Sequence, residues 1–67
     1  MEIWVLIEGI KYDGESVIGA FTKENGIKAF YKMIKRFGDD IEISISDDNF
    51  YAFDGVLYYE LKKFILD

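Results

Sequence analysis

The chain contains no cysteine, no histidine and no proline among its 67 residues. Without cysteine there is no disulfide and no thiolate metal site. Without histidine the commonest metal ligand and the commonest general base are absent. A domain of this length stands near the lower size limit for an unaided core, and such domains usually need a disulfide, a metal, a very well packed core or a partner chain.

These absences disfavour catalysis. A nucleophile would have to be a serine, a threonine or a lysine activated by a carboxylate, and none of these residues has a recognisable spacing. A carboxylate pair such as Asp39 and Glu42 would need desolvation that so small a core can hardly provide. The sequence therefore predicts a protein that is not an enzyme and holds no cofactor. The hydroxyl candidates are Ser16, Thr22, Ser44 and Ser46.

Two acidic stretches carry the oxygen ligands that Ca²⁺ and Mg²⁺ prefer. They are the run 47–49 (Asp-Asp-Asn) and Asp54. The EF-hand pattern needs alternating ligands, a central glycine and a closing glutamate, and none of these is in register. Turn-forming residues explain the clusters, so no metal site is predicted.

Aromatic side chains are the abundant component: six Phe, five Tyr and one Trp. A buried aromatic side chain removes roughly 150–250 Å² from water, and a small globule cannot bury twelve of them. Some are therefore expected on the surface, where a contiguous patch indicates an interface. This predicts a homo-oligomer, a two-fold dimer formed through an uncovered sheet face or an edge strand.

The chain has no run of about 20 apolar residues that could span a bilayer, and residues 1–4 lack the basic start of a secretory signal. A soluble, cytoplasmic protein is expected. The net charge of −5 opposes direct binding to nucleic acid or to an anionic membrane.

Periodicity predicts one domain over residues 1–67. Alternating or β-branched runs predict strands over 2–8, 16–21, 41–46, 50–53 and 56–61, with turns at 11–15, 47–49 and 54–55. Gly19 inside the second strand suggests a bulge or a close packing contact. The C-terminal ten residues also suit a short helix. The expected class is α+β: a small antiparallel sheet of two hairpins, in the order ββαββ(β), with one helix on one face.

The helix is predicted over residues 23–37, after Thr22 as N-cap and before Gly38 as a left-handed C′ residue. Its apolar residues share an arc about 120° wide, which we expect to pack on the sheet. They are Ile27, Phe30, Tyr31, Ile34 and Phe37.

Three segments of the first half follow a strand-turn-strand-helix pattern: 4–6 (Trp-Val-Leu), 12–14 (Tyr-Asp-Gly) and 18–22 (Ile-Gly-Ala-Phe-Thr). Through these three segments, residues 3–34 resemble a family of short uncharacterised bacterial and phage proteins, a domain of unknown function. The resemblance implies the same fold and a phage or prophage origin. It transfers no activity and no catalytic residue.

Charge is divided unevenly along the chain. Residues 23–37 carry five bases and one acid, whereas the other 52 residues carry three bases and twelve acids. The basic helix stripe of Lys28, Lys32 and Lys35, with Arg36 nearby, is explained by a solvated helix face, by an acidic protein partner or by phosphate contacts.

The acidic segment, residues 39–54, contains six acids and no base, with aromatic residues between the acids. It is either a solubilising rim or a docking face for a basic protein surface. The sequence thus favours a small, phage-type binding protein that docks on a basic site of a host protein and inhibits it. The alternative is a self-associating module without an inhibitory role. The candidate partner-binding residues are Asp39, Asp40, Glu42, Asp47, Asp48, Tyr51 and Asp54.

Overall fold

The computed structural model describes residues 1–38 and 40–66, which form five strands and one helix. The strands make one antiparallel sheet in the order β2-β1-β5-β4-β3. This confirms the α+β class with a small antiparallel sheet. In chain order the elements are β1 (Glu2–Ile10), β2 (Gly14–Phe21), α1 (Lys23–Ile34), β3 (Glu42–Ser46), β4 (Asn49–Phe53) and β5 (Leu57–Ile65).

The observed order, ββαβββ, differs from the predicted pair of hairpins. The last strand, β5, is nine residues long and pairs with β1 on one side and β4 on the other. Three strands therefore follow the helix within one continuous sheet. The tail is a strand and not the alternative short helix, because β5 finds partners for its backbone groups on both sides.

The turns follow the predicted chemistry. Tyr12 and Gly14 adopt positive φ values of 69° and 97° at the β1–β2 turn, and Gly55 has a φ of 105° between β4 and β5. The bulge suggested by Gly19 is also present. Leu6 pairs with Gly19 but Ile7 pairs with Val17, so one extra residue lies in β2 and the register shifts there.

Helix α1 begins as predicted and ends earlier than predicted. The Thr22 hydroxyl accepts a hydrogen bond from the Asn25 amide at 3.3 Å. The helix ends at Ile34, and the amides of Arg36 and Phe37 donate three residues back to carbonyls in the last turn. The predicted end at Phe37 and the left-handed Gly38 are therefore wrong. Hydrogen bonds from each amide to the carbonyl three residues earlier tighten this turn. The chain leaves the helix without a positive φ at Gly38.

At twelve residues, α1 is a short helix. Within residues 1–38 and 40–66, no helix has the length and the apolar character needed to cross a membrane.

The core lies between α1 and one face of the sheet. Gly26 permits a close approach of the helix, because a Cβ there would lie 3.1 Å from Leu61 and 3.3 Å from Trp4. Of the predicted helix arc, Phe30 and Ile34 are buried, and two further members are half-buried against the core. Tyr31 differs: it stays 41% exposed. The fully packed residues are Trp4, Leu6, Phe30, Ile34, Ala52, Tyr59 and Leu61.

Phe30 should be the most sensitive helix position. Its ring is fully buried and packs edge-on against Phe50 at a centroid distance of 5.7 Å. We expect Phe30→Ala to lower the free energy of unfolding by about 3–5 kcal/mol, measured by urea unfolding. The control Lys32→Ala, at an exposed position, should change it by less than about 0.5 kcal/mol. Equal midpoints for the two variants would contradict this assignment of the helix faces.

Candidate functional site

One face of the sheet carries no helix, and we call it the open face. Side chains alternate between the two faces of a strand. Since Leu6, Tyr59 and Leu61 lie under α1, their neighbours Tyr58 and Glu60 point to the other side. The only helix of the described residues packs on β1, β2 and β5 from the core side, so no described element covers the open face.

Five residues of the open face line up across all five strands, and we call them the acidic row. Cross-strand pairing joins Glu42 to Phe53, Phe53 to Tyr58, Tyr58 to Gly9 and Gly9 to Glu15. Paired residues lie side by side on the same face of an antiparallel sheet. The row therefore has a carboxylate at each edge of the sheet and aromatic rings between them.

The ring of Tyr58 fills the position that a side chain at Gly9 would occupy. A Cβ at Gly9 would overlap the Tyr58 ring and its hydroxyl oxygen. Lying across the glycine, Tyr58 donates its hydroxyl hydrogen to Glu15 at 2.6 Å. This hydrogen bond, with desolvation and the negative charges of Glu15 and Glu60, raises the pKa of Tyr58 to about 12. The glycine thus lets a side chain of β5 reach over β1 and contact a side chain of β2.

A third aromatic ring, that of Tyr51, lies beside the row. Tyr51 stacks on Tyr58 with a centroid distance of 5.8 Å and an interplanar angle of 27°, and it lies 6.4 Å from Phe53. Glu60 is the cross-strand neighbour of Tyr51, and its carboxylate accepts a hydrogen bond from the Asn49 amide nitrogen at 2.7 Å. Stacked aromatic faces beside carboxylates attract cations, and a planar guanidinium in particular.

The structure divides the predicted partner-binding residues into two groups. Asp40, Glu42 and Asp54 line one shallow depression of about 400 Å³ together with Phe53. Asp47 and Asp48 lie at the tip of the β3–β4 hairpin, beyond the pair Ser46–Asn49, at the opposite end of these strands. The predicted acidic segment is therefore not one patch.

Of the other two predicted partner-binding residues, Tyr51 lies on the open face and Asp39 falls outside the described residues. The sequence-based prediction for Asp39 stays a prediction.

The Asp54 carboxylate makes hydrogen bonds within the turn between β4 and β5. It accepts hydrogen bonds from the amides of Val56 and Leu57 at 2.9 and 2.7 Å. Both bonds favour the ionised form and lower the pKa of Asp54. The carboxylate holds the β4–β5 turn and adds negative charge to the depression. Within the described residues, no group of three acidic side chains could hold a metal ion.

Sequence reasoning missed Glu15, Tyr58 and Glu60 as site residues. Alternation along β5 could have placed Tyr58 and Glu60 on one face, opposite Tyr59. It could not show that β5 lies beside β1 and β4, which brings these residues next to Tyr51 and Glu15. That neighbourhood depends on the sheet order alone.

The basic helix stripe lies on the other side of the molecule. Its Lys28 pairs with Glu24 at 3.6 Å, and both side chains are largely exposed. Such exposed pairs contribute little to stability. Because α1 covers the core side of the sheet, its bases and the acidic row are separated by the sheet itself.

Removing the Glu15 charge should lower the pKa of Tyr58. In Glu15→Gln we expect this pKa to fall from about 12 towards the usual value of about 10, because the carboxylate acceptor is gone. The ¹³Cζ signal of Tyr58 measured against pH reports it, and Glu2→Gln is the control. An unchanged titration would contradict the hydrogen bond.

The same shift predicts how stability depends on pH. A tyrosine whose pKa is raised by folding keeps its proton to a higher pH in the folded state than in the unfolded state. The contribution of Tyr58 to the free energy of unfolding is therefore complete below about pH 10 and is lost as the pH rises towards 12. Unfolding midpoints measured across this range should fall more steeply for the parent than for Glu15→Gln.

Adjacent tyrosines should respond oppositely to loss of the hydroxyl. The buried Tyr59 hydroxyl finds no hydrogen-bond partner in the described part of the chain, whereas the Tyr58 hydroxyl binds Glu15. We expect Tyr59→Phe to raise the free energy of unfolding by about 1 kcal/mol and Tyr58→Phe to lower it. Urea unfolding of the two variants checks this, and a loss of stability in Tyr59→Phe would refute it.

Comparison of the chain with protein-family models, with characterised proteins and with solved structures finds no match. The resemblance of residues 3–34 to a family of short uncharacterised bacterial and phage proteins stays a prediction.

Proposed function

We propose that this chain is a non-enzymatic binding protein whose open face docks on a basic surface of another protein. The observation that carries the proposal is the acidic row, with Glu42 and Glu15 at its ends and the rings of Phe53 and Tyr58 between them. The stacked Tyr51 adds a third ring. Aromatic anchors inside a charged rim are typical of interface hot spots.

The chemistry of the row favours arginine on the partner. A guanidinium can stack on a tyrosine ring and bind a carboxylate at the same time, whereas an ammonium presents only a point charge. Glu42 and Glu60 stand beside Phe53 and Tyr51, respectively. These two rings therefore each have a carboxylate one cross-strand step away, and the Tyr58 hydroxyl reaches Glu15 across β1.

Occupying a basic surface would block whatever that surface normally holds. If the surface binds nucleic acid, the docked chain inhibits that binding. The phage-type inhibitor that the sequence favours would act in this way. The phage origin rests on the resemblance of residues 3–34 alone, and the proposed docking on a basic surface does not depend on that origin.

A peptide of nine arginines serves as the probe, with a peptide of nine lysines as its charge-matched control. We expect the arginine peptide to bind more tightly and to shift the ring signals of Tyr51, Phe53 and Tyr58 in NMR titrations. Binding should weaken as salt rises. Equal affinities would contradict the preference for arginine, and shifts confined to the helix would contradict docking on the open face.

Two double variants at opposite ends of the β3–β4 hairpin separate contact from steering. Asp40→Asn with Glu42→Gln should weaken arginine-peptide binding by about threefold to tenfold. Asp47→Asn with Asp48→Asn removes the same charge at the hairpin tip and should mainly slow association. The same loss of affinity in both would show that only net charge matters.

The aromatic anchor is tested by two substitutions at one position. Tyr51→Ala should speed dissociation by about tenfold or more, as for a hot-spot residue. Tyr51→Phe keeps the ring and should leave dissociation nearly unchanged. If Tyr51→Phe is as weak as Tyr51→Ala while both stay folded, ring stacking does not carry the binding.

A further inference from the structure

The sheet has two edge strands, and they differ in how they are protected. The edge strand β2 carries a bulge, because its register with β1 shifts between Leu6 and Ile7. Bulges, lysines and prolines are the usual devices that prevent an edge from pairing with another chain. The other edge, β3, pairs with β4 without a break over all five residues and contains no lysine and no proline. β3 therefore lacks these three devices.

The side chains of β3 on the core side are apolar and uncovered. Ile43 and Ile45 are 46% and 53% exposed, although they pair with Ala52 and Phe50 of the core-side layer. They are exposed because α1 packs on β1, β2 and β5 and stops short of this edge. Tyr31, which contacts Phe50 edge-on at 6.5 Å, is the exposed helix residue on this side.

We propose that β3 pairs with β3 of a second copy, antiparallel, about a two-fold axis at Ser44. Ser44 is the middle residue of β3, so only this centre pairs all five residues of both strands. Ile43 then lies opposite Ile45 of the second copy, and Glu42 lies opposite the neutral Ser46. Each apolar residue meets an apolar residue, and no like charges meet within the ladder.

This pairing makes one ten-stranded sheet with both helices on one side and both open faces on the other. A two-fold interface of this kind is self-complementary. Continued beyond the strands, the register places Asp40 near Asp48 of the second copy, so acids gather at both ends of the ladder. Salt screens this repulsion. The dimer should therefore strengthen as salt rises, whereas docking on a basic probe should weaken.

A single cysteine tests the register, because the chain has none of its own. Opposite residues of an antiparallel pair have Cα atoms about 4.5–5.5 Å apart, within the range that a disulfide bridges. Ser44→Cys should therefore form a disulfide-linked dimer under mild oxidation. The disulfide should form at least about tenfold faster than for a free thiol at the same concentration, because the dimer holds the same residue of the second copy opposite it.

Ser46→Cys is the matched control. It replaces the same residue type on the same strand and face, and Ser46 is also exposed. In the proposed register it lies about 13 Å along the strand from its twin, which is too far for a disulfide. Equal cross-linking rates for the two variants would overturn the register.

The dimer itself is measured by sedimentation without any cross-link. We expect a mass of twice 7.8 kDa at high protein concentration, with a dimer fraction that rises with salt. Ile45→Lys should abolish the dimer, and Val17→Lys, at a 67% exposed position of β2, should leave it intact. A monomer throughout, or a loss of the dimer in Val17→Lys alone, would overturn the proposal. No basic probe is used, so this result is independent of the proposed docking function.

Discussion

The antiparallel ladder between β1 and β5 is the interaction on which the rest of the structure depends. It joins the two ends of the chain through nine residue pairs, from Glu2–Ile65 to Ile10–Leu57. Each strand adds one further partner, β2 on one side and β4 on the other. Closing so long a loop is entropically unfavourable, and the ladder is stabilised by the aromatic and aliphatic side chains that it presents to α1. Without it, two separate hairpins would each be marginal.

One helix can cover only one side of this ladder, and the difference between the two faces of the sheet follows from that. Trp4, Leu6, Tyr59 and Leu61 lie under α1, and the alternate residues lie on the open face by the period of a strand. In larger α+β domains a second layer would cover them. Here no described element covers the second face, which carries Tyr51 and Tyr58 stacked beside carboxylates, and for this reason we propose it as the docking face.

The acidic and basic groups lie on opposite sides of the sheet. The acidic row lies on the open face, while the basic helix stripe and the exposed isoleucines of β3 lie on the other side. The docking that we propose uses side chains of the open face, and the pairing that we propose uses the backbone edge of β3, with Glu42 belonging to both. The two proposals predict opposite responses to salt. In the proposed dimer two open faces would lie side by side, and a partner with repeated basic segments would engage both.

The sequence by itself determined the local elements. Alternation predicted the strands, Asp-Gly pairs predicted two turns, and the apolar arc predicted a helix that buries Phe30 and Ile34, because these signals depend on neighbours three or four residues away or closer. Tertiary structure decided which strands are neighbours. The acidic row joins Glu15 to Glu42 through Tyr58, and these residues come together only because β5 inserts between β1 and β4. Asp47 and Asp48 lie at the far end of the hairpin from Glu42 because the length of β3 separates them, and Tyr31 stays exposed because α1 stops short of the β3 edge. Local patterns specify which way a side chain points relative to its own strand, whereas long-range pairing specifies what lies beside it, and a binding site requires both.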